Sequence, residues 1–320
     1  MDIDEKHFIP FRVGILLIDG FAMMSYASVV EPLRAANLLS QHTLYDIRHI
    51  PVTGASAVSS GGAVIKANAH VGESVDFDLV LVVAGGDAGA FKDKRVFAWL
   101  RHLSVRGVHL GGVSGGPVIL ALAGVMTGRR MTVHWEYAPI LDAFSSSLML
   151  ERTLYVIDRD RLTCAGGIAP LDMMHALLSE HHSADFAREV SDWFMHTEIR
   201  PAGGPQRAGL VERYGITSPA IVLTIEAMTN HMADTLSLEQ LADLSNVSPR
   251  QLNRLFREKL GTSTMGFYRD LRLDKARNLL RQTPLSTTEI ALMTGFSSSA
   301  HFSQSFRQKF DATPSSVRIS

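Results

Sequence analysis

The chain has 320 residues, 46% of them hydrophobic and 20% charged, with a formal net charge of −1. That balance belongs to an ordinary soluble globular protein long enough for two cores. A single cysteine, Cys164, excludes an internal disulfide framework and fits a reducing compartment. The apolar runs, such as 79–84 and 118–123, fall far short of the roughly 20 residues that cross a bilayer. The acidic start, Met1–Lys6, has no apolar targeting stretch. A cytoplasmic protein without a membrane partner is predicted.

Residues 12–200 alternate between strand-like and helix-like stretches. Val13–Ile18 is a short apolar run closed by Asp19 and Gly20, and a helical stretch from Met24 to Leu39 follows. Phe77–Ala84 reads as a buried strand ending in Gly85 and Gly86. Asp93–Ser104 is helical, Val108–Val113 a strand, and Pro117–Ala123 opens a helix. Leu154–Ile157 and Arg161–Cys164 flank Asp158, Arg159 and Asp160 as a hairpin. Helices over Leu171–Glu180 and Asp185–His196 close the segment. Continuous apolar strands alternating with helices predict an α/β domain, flavodoxin-like, whose parallel sheet is flanked by helices. Pro201–Pro205, with Gly203 and Gly204 inside it, reads as a linker. The predicted organisation is an α/β domain at 1–200, a linker at 201–215 and an all-α domain at 216–320.

Two glycine-rich turns in the first domain carry chemistry. Gly112, Ser114, Gly115 and Gly116 form a strand-to-helix elbow, and Gly85, Gly86 and Asp87 a second turn. Both fall at carboxyl ends of parallel strands, where open α/β sheets place ligands, and amides at a helix N-terminus favour anions. We expect Ser114, Gly115, Gly85, Gly86 and Asp87 to hold the carboxylate of a small effector. His134 and Trp135, with Phe21 or Tyr26, would face its cationic group, tryptophan being the best cation–π partner. The plainer reading makes Phe21 and Tyr26 core residues and His134 a satisfied core histidine. A rival reading is enzymatic. The Gly112-x-Ser114-x-Gly116 pattern matches a nucleophile elbow, with His134 as base and Glu31 as orienter of a serine-dependent amidase or esterase. Chain order opposes it, because Glu31 precedes Ser114 whereas α/β-hydrolases run serine, acid, histidine. No catalytic residue is therefore assigned. His181 and His182 are adjacent and no Cys/His pair has zinc spacing, and there is no phosphate loop. No metal or cofactor is expected.

The last hundred residues contain one motif twice. Ser248, Leu252, Phe256 and Leu260 recur fifty positions later as Ser298, Phe302, Phe306 and Phe310. Ser237 with Gln240, Ser248 with Gln251 and Ser286 with Glu289 have capping-box spacing. Pro249 suits a first helical position, and Gly295 suits a helix end. Each copy reads as a helix-turn-helix, and a long helix over Met265–Leu280 joins them. Burying Leu252, Phe256 and Leu260 leaves Arg250, Gln251, Asn253 and Arg254 outward. Burying Phe302, Phe306 and Phe310 leaves Ser299, His301, Ser303, Gln304 and Arg307 outward. Arg, Asn and Gln pair bidentately with guanine or adenine edges, so these residues are the expected DNA contacts, on major-groove turns about 34 Å apart. The bulk charge conceals this: residues 216–320 carry 12 Lys+Arg against 9 Asp+Glu, a net of +3.

Residues 220–318 resemble the tandem helix-turn-helix domain of the AraC/XylS regulators. The carrying residues are Leu241-Ala242, Ser248-Pro249, Leu255-Phe256, Leu260-Gly261, Arg272-Leu273, Ala276-Arg277, Ile290-Ala291, Gly295-Phe296, Phe302, Phe306 and Thr313-Pro314. Thr264 stands where that pattern usually has proline, and Asp311 where it usually has glycine. Residues 10–200 resemble the class-I glutamine-amidotransferase-like (PfpI/ThiJ-like) fold through Asp19–Phe21, Val30–Arg34, Ala84–Gly86, Gly112–Gly116 and Thr132–Glu136. Enzymes of that fold carry a cysteine nucleophile at the elbow, where this chain has Ser114.

The resemblance implies a ligand-responsive transcriptional regulator. Its expected partners are promoter DNA, a small-molecule effector, RNA polymerase and a second copy in a homodimer. Regulators of this branch often sense betaine-, carnitine- or amino-acid-like metabolites, so an activator of catabolic genes for a small nitrogenous compound is expected.

Overall fold

The apolar runs of the first domain become the interior of a six-stranded sheet. In the computed structural model, which describes residues 9–73, 76–144, 147–207, 218–282 and 285–319, the chain divides into two compact units, Met1–Gln206 and Arg207–Ser320. The strands of the first are β1 (Phe11–Leu17), β2 (Tyr45–Pro51), β3 (Ser56–Val58), β4 (Val64–Lys66), β5 (Leu79–Ala84), β6 (His109–Ser114), β7 (Arg130–Thr132), β8 (Met149–Glu151), β9 (Tyr155–Asp158) and β10 (Arg161–Cys164). The main sheet runs β2-β1-β5-β6-β10-β9. It is parallel except for the β9–β10 hairpin.

All six residues of β5 are buried, as a central strand covered on both faces requires. Its alternate side chains feed two cores. Leu79, Leu81 and Val83 join the layer of α1 (Met23–Ser40), α5 (Ala169–His181) and α6 (Ala184–Trp193). Val80, Val82 and Ala84 join the layer of α2 (Lys94–Val105), α3 (Gly116–Leu122) and α4 (Ala138–Phe144). Strand β2 was not expected from sequence. Asp46, Arg48 and His49 interrupt its apolar pattern because it lies at the sheet edge, paired only with β1.

The second unit is helical: α7 (Pro219–Asn230), α8 (Leu238–Leu244), α9 (Pro249–Leu260), α10 (Thr264–Gln282), α11 (Thr287–Met293), α12 (Ser299–Phe310) and α13 (Pro314–Ile319). It holds two small cores. Leu241, Leu252 and Phe256 pack with Phe267 and Tyr268 at the start of α10. Ile290, Phe302 and Phe306 pack with Leu273, Ala276 and Leu280 further along it. One helix therefore serves both halves of the repeat.

The segment read as a linker begins inside the first unit. Leu154 N–H donates to the Ala202 carbonyl at 3.0 Å, and Thr153 bridges to Pro205 in antiparallel fashion. Residues 208–215 lie outside the described residues.

The elbow after β6 rests on bare backbone. A Cβ on Gly116 would lie 1.9 Å from the Val82 carbonyl oxygen, and one on Gly112 would lie 2.5 Å from the Pro117 nitrogen. Since β5 cannot yield, Gly116→Ala is expected to lower stability by about 3 kcal/mol, read as a fall in the denaturation midpoint of the full chain.

Candidate effector pocket and nucleic-acid interface

Ser114 ends β6 with φ +60°, a left-handed conformation rare for a non-glycine residue, and is buried. This is the strained geometry of a nucleophile elbow, kept here around a hydroxyl. The Gly115 N–H is taken by the Ala84 carbonyl at 3.1 Å. Opposite the elbow, a Cβ on Gly166 would fall 2.7 Å from the Ser114 Cβ and 2.9 Å from Ser25 Oγ. Ser25 Oγ accepts the Gly167 N–H at 2.9 Å.

A loop after β7 crosses over both glycine turns. His134 N–H donates to the Ser114 carbonyl at 3.4 Å, and Tyr137 Oη donates to the Gly86 carbonyl at 2.9 Å. Burial, with Glu136 and Asp87 nearby, pushes the Tyr137 hydroxyl up to about 12, so it remains a donor. Ser114, Gly86, His134 and Trp135 are thus brought to one end of the sheet. The His134 and Trp135 rings lie 5.1 Å apart.

Other sequence-predicted residues have different occupations. Gly85 is bare because a Cβ would strike the Gly20 carbonyl at 2.6 Å. Asp87 caps a short turn by accepting the Ala90 N–H at 3.2 Å. Phe21 and Tyr26 sit in the core against each other, 5.5 Å between centroids, and Tyr26 Oη bonds His49 Nε2 at 2.9 Å. Glu31 pairs with Arg34 at 2.7 Å. The triad geometry also fails to form: His134 Nδ1 accepts the Glu136 N–H at 3.3 Å, where a catalytic orienter would be an acceptor.

Beside the elbow is a cavity of about 180 Å³ lined by His134, Trp135, Gly166, Gly167, Arg200 and Gln206, among others. Such a volume suits a small metabolite, being below the ~300–1,000 Å³ of drug-sized sites. Arg200 and Gln206 were not foreseen. Arg200 is anchored by Asp172, which is fully buried. Its Nε and Nη2 donate to Asp172 Oδ2 at 3.0 and 2.6 Å, and His196 Nε2 meets Oδ1 at 2.9 Å. Gln206 Nε2 donates to Thr132 Oγ1 at 3.1 Å, to the Val133 carbonyl at 3.0 Å and to the Thr153 carbonyl at 2.7 Å. Its Oε1 is buried without a partner. The two carbonyls fix which end of the amide is nitrogen.

Cys164, on β10 and paired with Val113 on the strand beside the elbow, is fully buried, and burial pushes its thiol up to about 12. The folded chain is therefore expected to resist iodoacetamide at mildly alkaline pH, and to react fully once denatured. The linkage has a matching sign. The thiol contributes stability below the ordinary cysteine value of 9.0, and that contribution falls as pH rises toward the folded value. Among the described residues no group of three or more His, Cys, Asp or Glu is placed to hold a metal ion. Nor is any helix among them long and apolar enough to cross a membrane.

In the second unit α9 and α12 are the outward helices. Ser237 with Gln240 and Ser286 with Glu289 complete reciprocal capping boxes. Ser248 makes only its own half, accepting the Gln251 N–H. Arg250, Gln251, Arg254, His301, Gln304 and Arg307 are exposed, and Asn253, Ser299 and Ser303 partly so. Ser303, Gln304 and Arg307 share one surface depression with Gln308. Asn253 does a second job: its Oδ1 accepts the Thr264 N–H at 3.0 Å, a bond that proline at 264 would abolish. Asp311 ends α12 with φ +51°, where Gly261 ends α9 with φ +68°. Relief of left-handed strain and of a negative charge at a helix C-terminus predicts that Asp311→Gly stabilises by up to about 1 kcal/mol, measurable by chemical denaturation.

Fold and site define a two-part transcriptional regulator, an α/β domain followed by paired DNA-binding helix-turn-helix units. The helix-turn-helix domain model matches residues 241–319, and the DJ-1/PfpI family model matches residues 11–180. The HTH-type transcriptional regulator GlxA of Rhizobium meliloti is 44% identical over 308 residues, 96% of this chain and 95% of that protein. The regulator CdhR of Pseudomonas aeruginosa is 40% identical over 306 residues, 95% and 90% of the two chains. The chain belongs to the HTH-type transcriptional regulators that carry a DJ-1/PfpI domain ahead of an AraC-type helix-turn-helix domain. Two solved structures share its fold. A ThiJ/PfpI family protein from Pseudomonas syringae has a TM-score of 0.54 at 20% identity, over 74% of this chain and 91% of that one. An AraC family transcriptional regulator from Pseudomonas putida has a TM-score of 0.53 at 24% identity, over 58% and 100%.

Proposed function

We propose that the first unit senses a small nitrogenous metabolite (betaine-, carnitine- or amino-acid-like) and does no chemistry on it. The protein then acts as a cytoplasmic, homodimeric activator of catabolic genes that works through RNA polymerase. The observation that carries this reading is a preorganised cation in a small cavity. Arg200, locked by fully buried Asp172, lines the same space as Trp135 and His134. A guanidinium held by one carboxylate keeps donors for a second, and bidentate geometry suits a carboxylate ligand. Trp135 supplies the π face for a cationic group. Ser114 backs the site through Gly166, which lines the cavity, and residues 201–215 connect it to the DNA-binding domain at 216–320.

Against catalysis stand an ion-paired Glu31 and a His134 Nδ1 that accepts from backbone. Ester turnover abolished by Ser114→Ala would favour the enzymatic alternative.

The test is a thermal-shift panel on the full chain with betaines, carnitine and amino acids. A ligand at about 100 times its Kd adds ~2.7 kcal/mol, several degrees at this size. A selective shift lost in Trp135→Ala and Arg200→Ala is expected, whereas a full shift in both variants sinks the pocket. For the DNA heads, Arg250→Ala and Arg307→Ala should each weaken specific DNA binding by about 1–3 kcal/mol, read by gel shift at fixed salt. Unchanged affinity in both removes α9 and α12 as reading helices.

A further inference from the structure

Gln206 occupies a place built for more hydrogens than it has. Its Nε2 carries two, yet faces three acceptors, Thr132 Oγ1, Val133 O and Thr153 O, all within 3.1 Å. Its own Oε1 is left buried and unpaired, a desolvation cost that offsets part of what the three contacts contribute. The residue also lines the Arg200 cavity and stands at the end of the first unit, next to the start of the second. Thr153 bridges to its neighbour Pro205, so the same short segment is pinned twice beside the cavity.

We infer that the three acceptors form a binding site for a primary ammonium group, and that Gln206 plugs this site in the resting chain as a tethered competitor. The inference rests on the pocket proposed above and selects among its ligand classes. An –NH3+ group offers three donors to three acceptors, while Arg200, in the same cavity, takes the carboxylate. An α-amino acid with a free ammonium satisfies both ends. An N-trimethylated analogue has no N–H to give and leaves Thr132 Oγ1 and the Val133 carbonyl without that donor, while the Thr153 carbonyl keeps only Thr132 Oγ1. Entry of the ammonium expels the Gln206 amide, which releases Gln206 from β7 and the stretch before β9 and leaves the Thr153–Pro205 bridge and the Ala202 carbonyl bond as the remaining ties of the segment. Occupancy is thereby reported on the chain that leads into the DNA-binding unit. Since the plug and the ligand compete, removing the plug tightens ligand binding.

The test uses the full chain, with α-amino acids and their N,N,N-trimethyl counterparts as probes. Binding is read by thermal shift, and undocking by the rate of tryptic cleavage after Arg207, which is exposed, followed by mass spectrometry. A primary-ammonium probe is expected to shift the wild type and speed that cleavage about tenfold, its trimethyl partner doing neither. Gln206→Ala and Gln206→Leu should cleave fast without any probe and bind the active amino acid about tenfold more tightly. A probe that binds without changing cleavage overturns the plug while leaving the pocket standing, and so do Gln206 variants with wild-type cleavage and affinity. Equal binding of the trimethyl partner overturns the ammonium site. A flat panel in wild type and in both variants removes the pocket itself, and the plug with it.

Discussion

The close approach of α3 to β5 governs the elbow end of the first unit. With the Gly116 Cα directly against the Val82 carbonyl, the chain leaving β6 has no room for a gradual turn. It must reverse within Ser114 and Gly115, and the left-handed backbone of Ser114 is the result. That sharp turn aims the Ser114 carbonyl at the His134 N–H and its Cβ at Gly166. The loop over the sheet and the glycine pair after β10 are therefore arranged around one backbone contact. The retained strain belongs to the scaffold, since it persists where the nucleophile has become a hydroxyl and the candidate base accepts a backbone N–H.

The second unit is governed by a different economy, two cores too small to stand alone and one helix that completes both. Phe267 and Tyr268 of α10 close the first core, and Leu273 to Leu280 close the second. Arg272 lies between them. Its guanidinium donates to the Gly295 carbonyl at 2.8 Å and stacks over Phe296 at 4.7 Å. Lys309 ties α12 back to Asp274 at 2.7 Å. The repeat in the sequence is thus a repeat of surfaces, while the interior is shared.

Much of this was legible in the residues. Strands β1, β5 and β6 are continuous apolar runs, and the periodic helices with their serine caps stand within a few residues of expectation. The outward faces of α9 and α12 follow directly from the spacing of Leu252, Phe256, Phe302 and Phe306. What escaped was whatever depends on tertiary partners. Strand β2 alternates charge because its outer edge has no partner strand, only the Asn68–Ala69 turn. Asp172, Arg200 and Gln206 look like ordinary polar residues in the sequence, and only folding brings Arg200 and Gln206 beside Trp135 and puts Asp172 against Arg200. The roles first given to Gly85 and Gly115 rested on loop chemistry, whereas the fold gives one a neighbouring carbonyl and the other a backbone acceptor. Phe21 and Tyr26 were aromatics in suggestive places, yet they complete a core.

Gly295 has a neighbour outside its own half of the repeat. A Cβ there would meet the Met232 carbonyl at 2.6 Å, so the turn of the second head sits on the loop between α7 and α8 of the first. Together with the Arg272 bond this makes the pair a caliper of fixed jaw width. Each base pair inserted between two half-sites displaces the second by about 3.4 Å and turns it by about 35° around the duplex. A caliper cannot follow that displacement. The distance between the two words of an operator becomes a third element of its spelling, read by no side chain and enforced by a glycine.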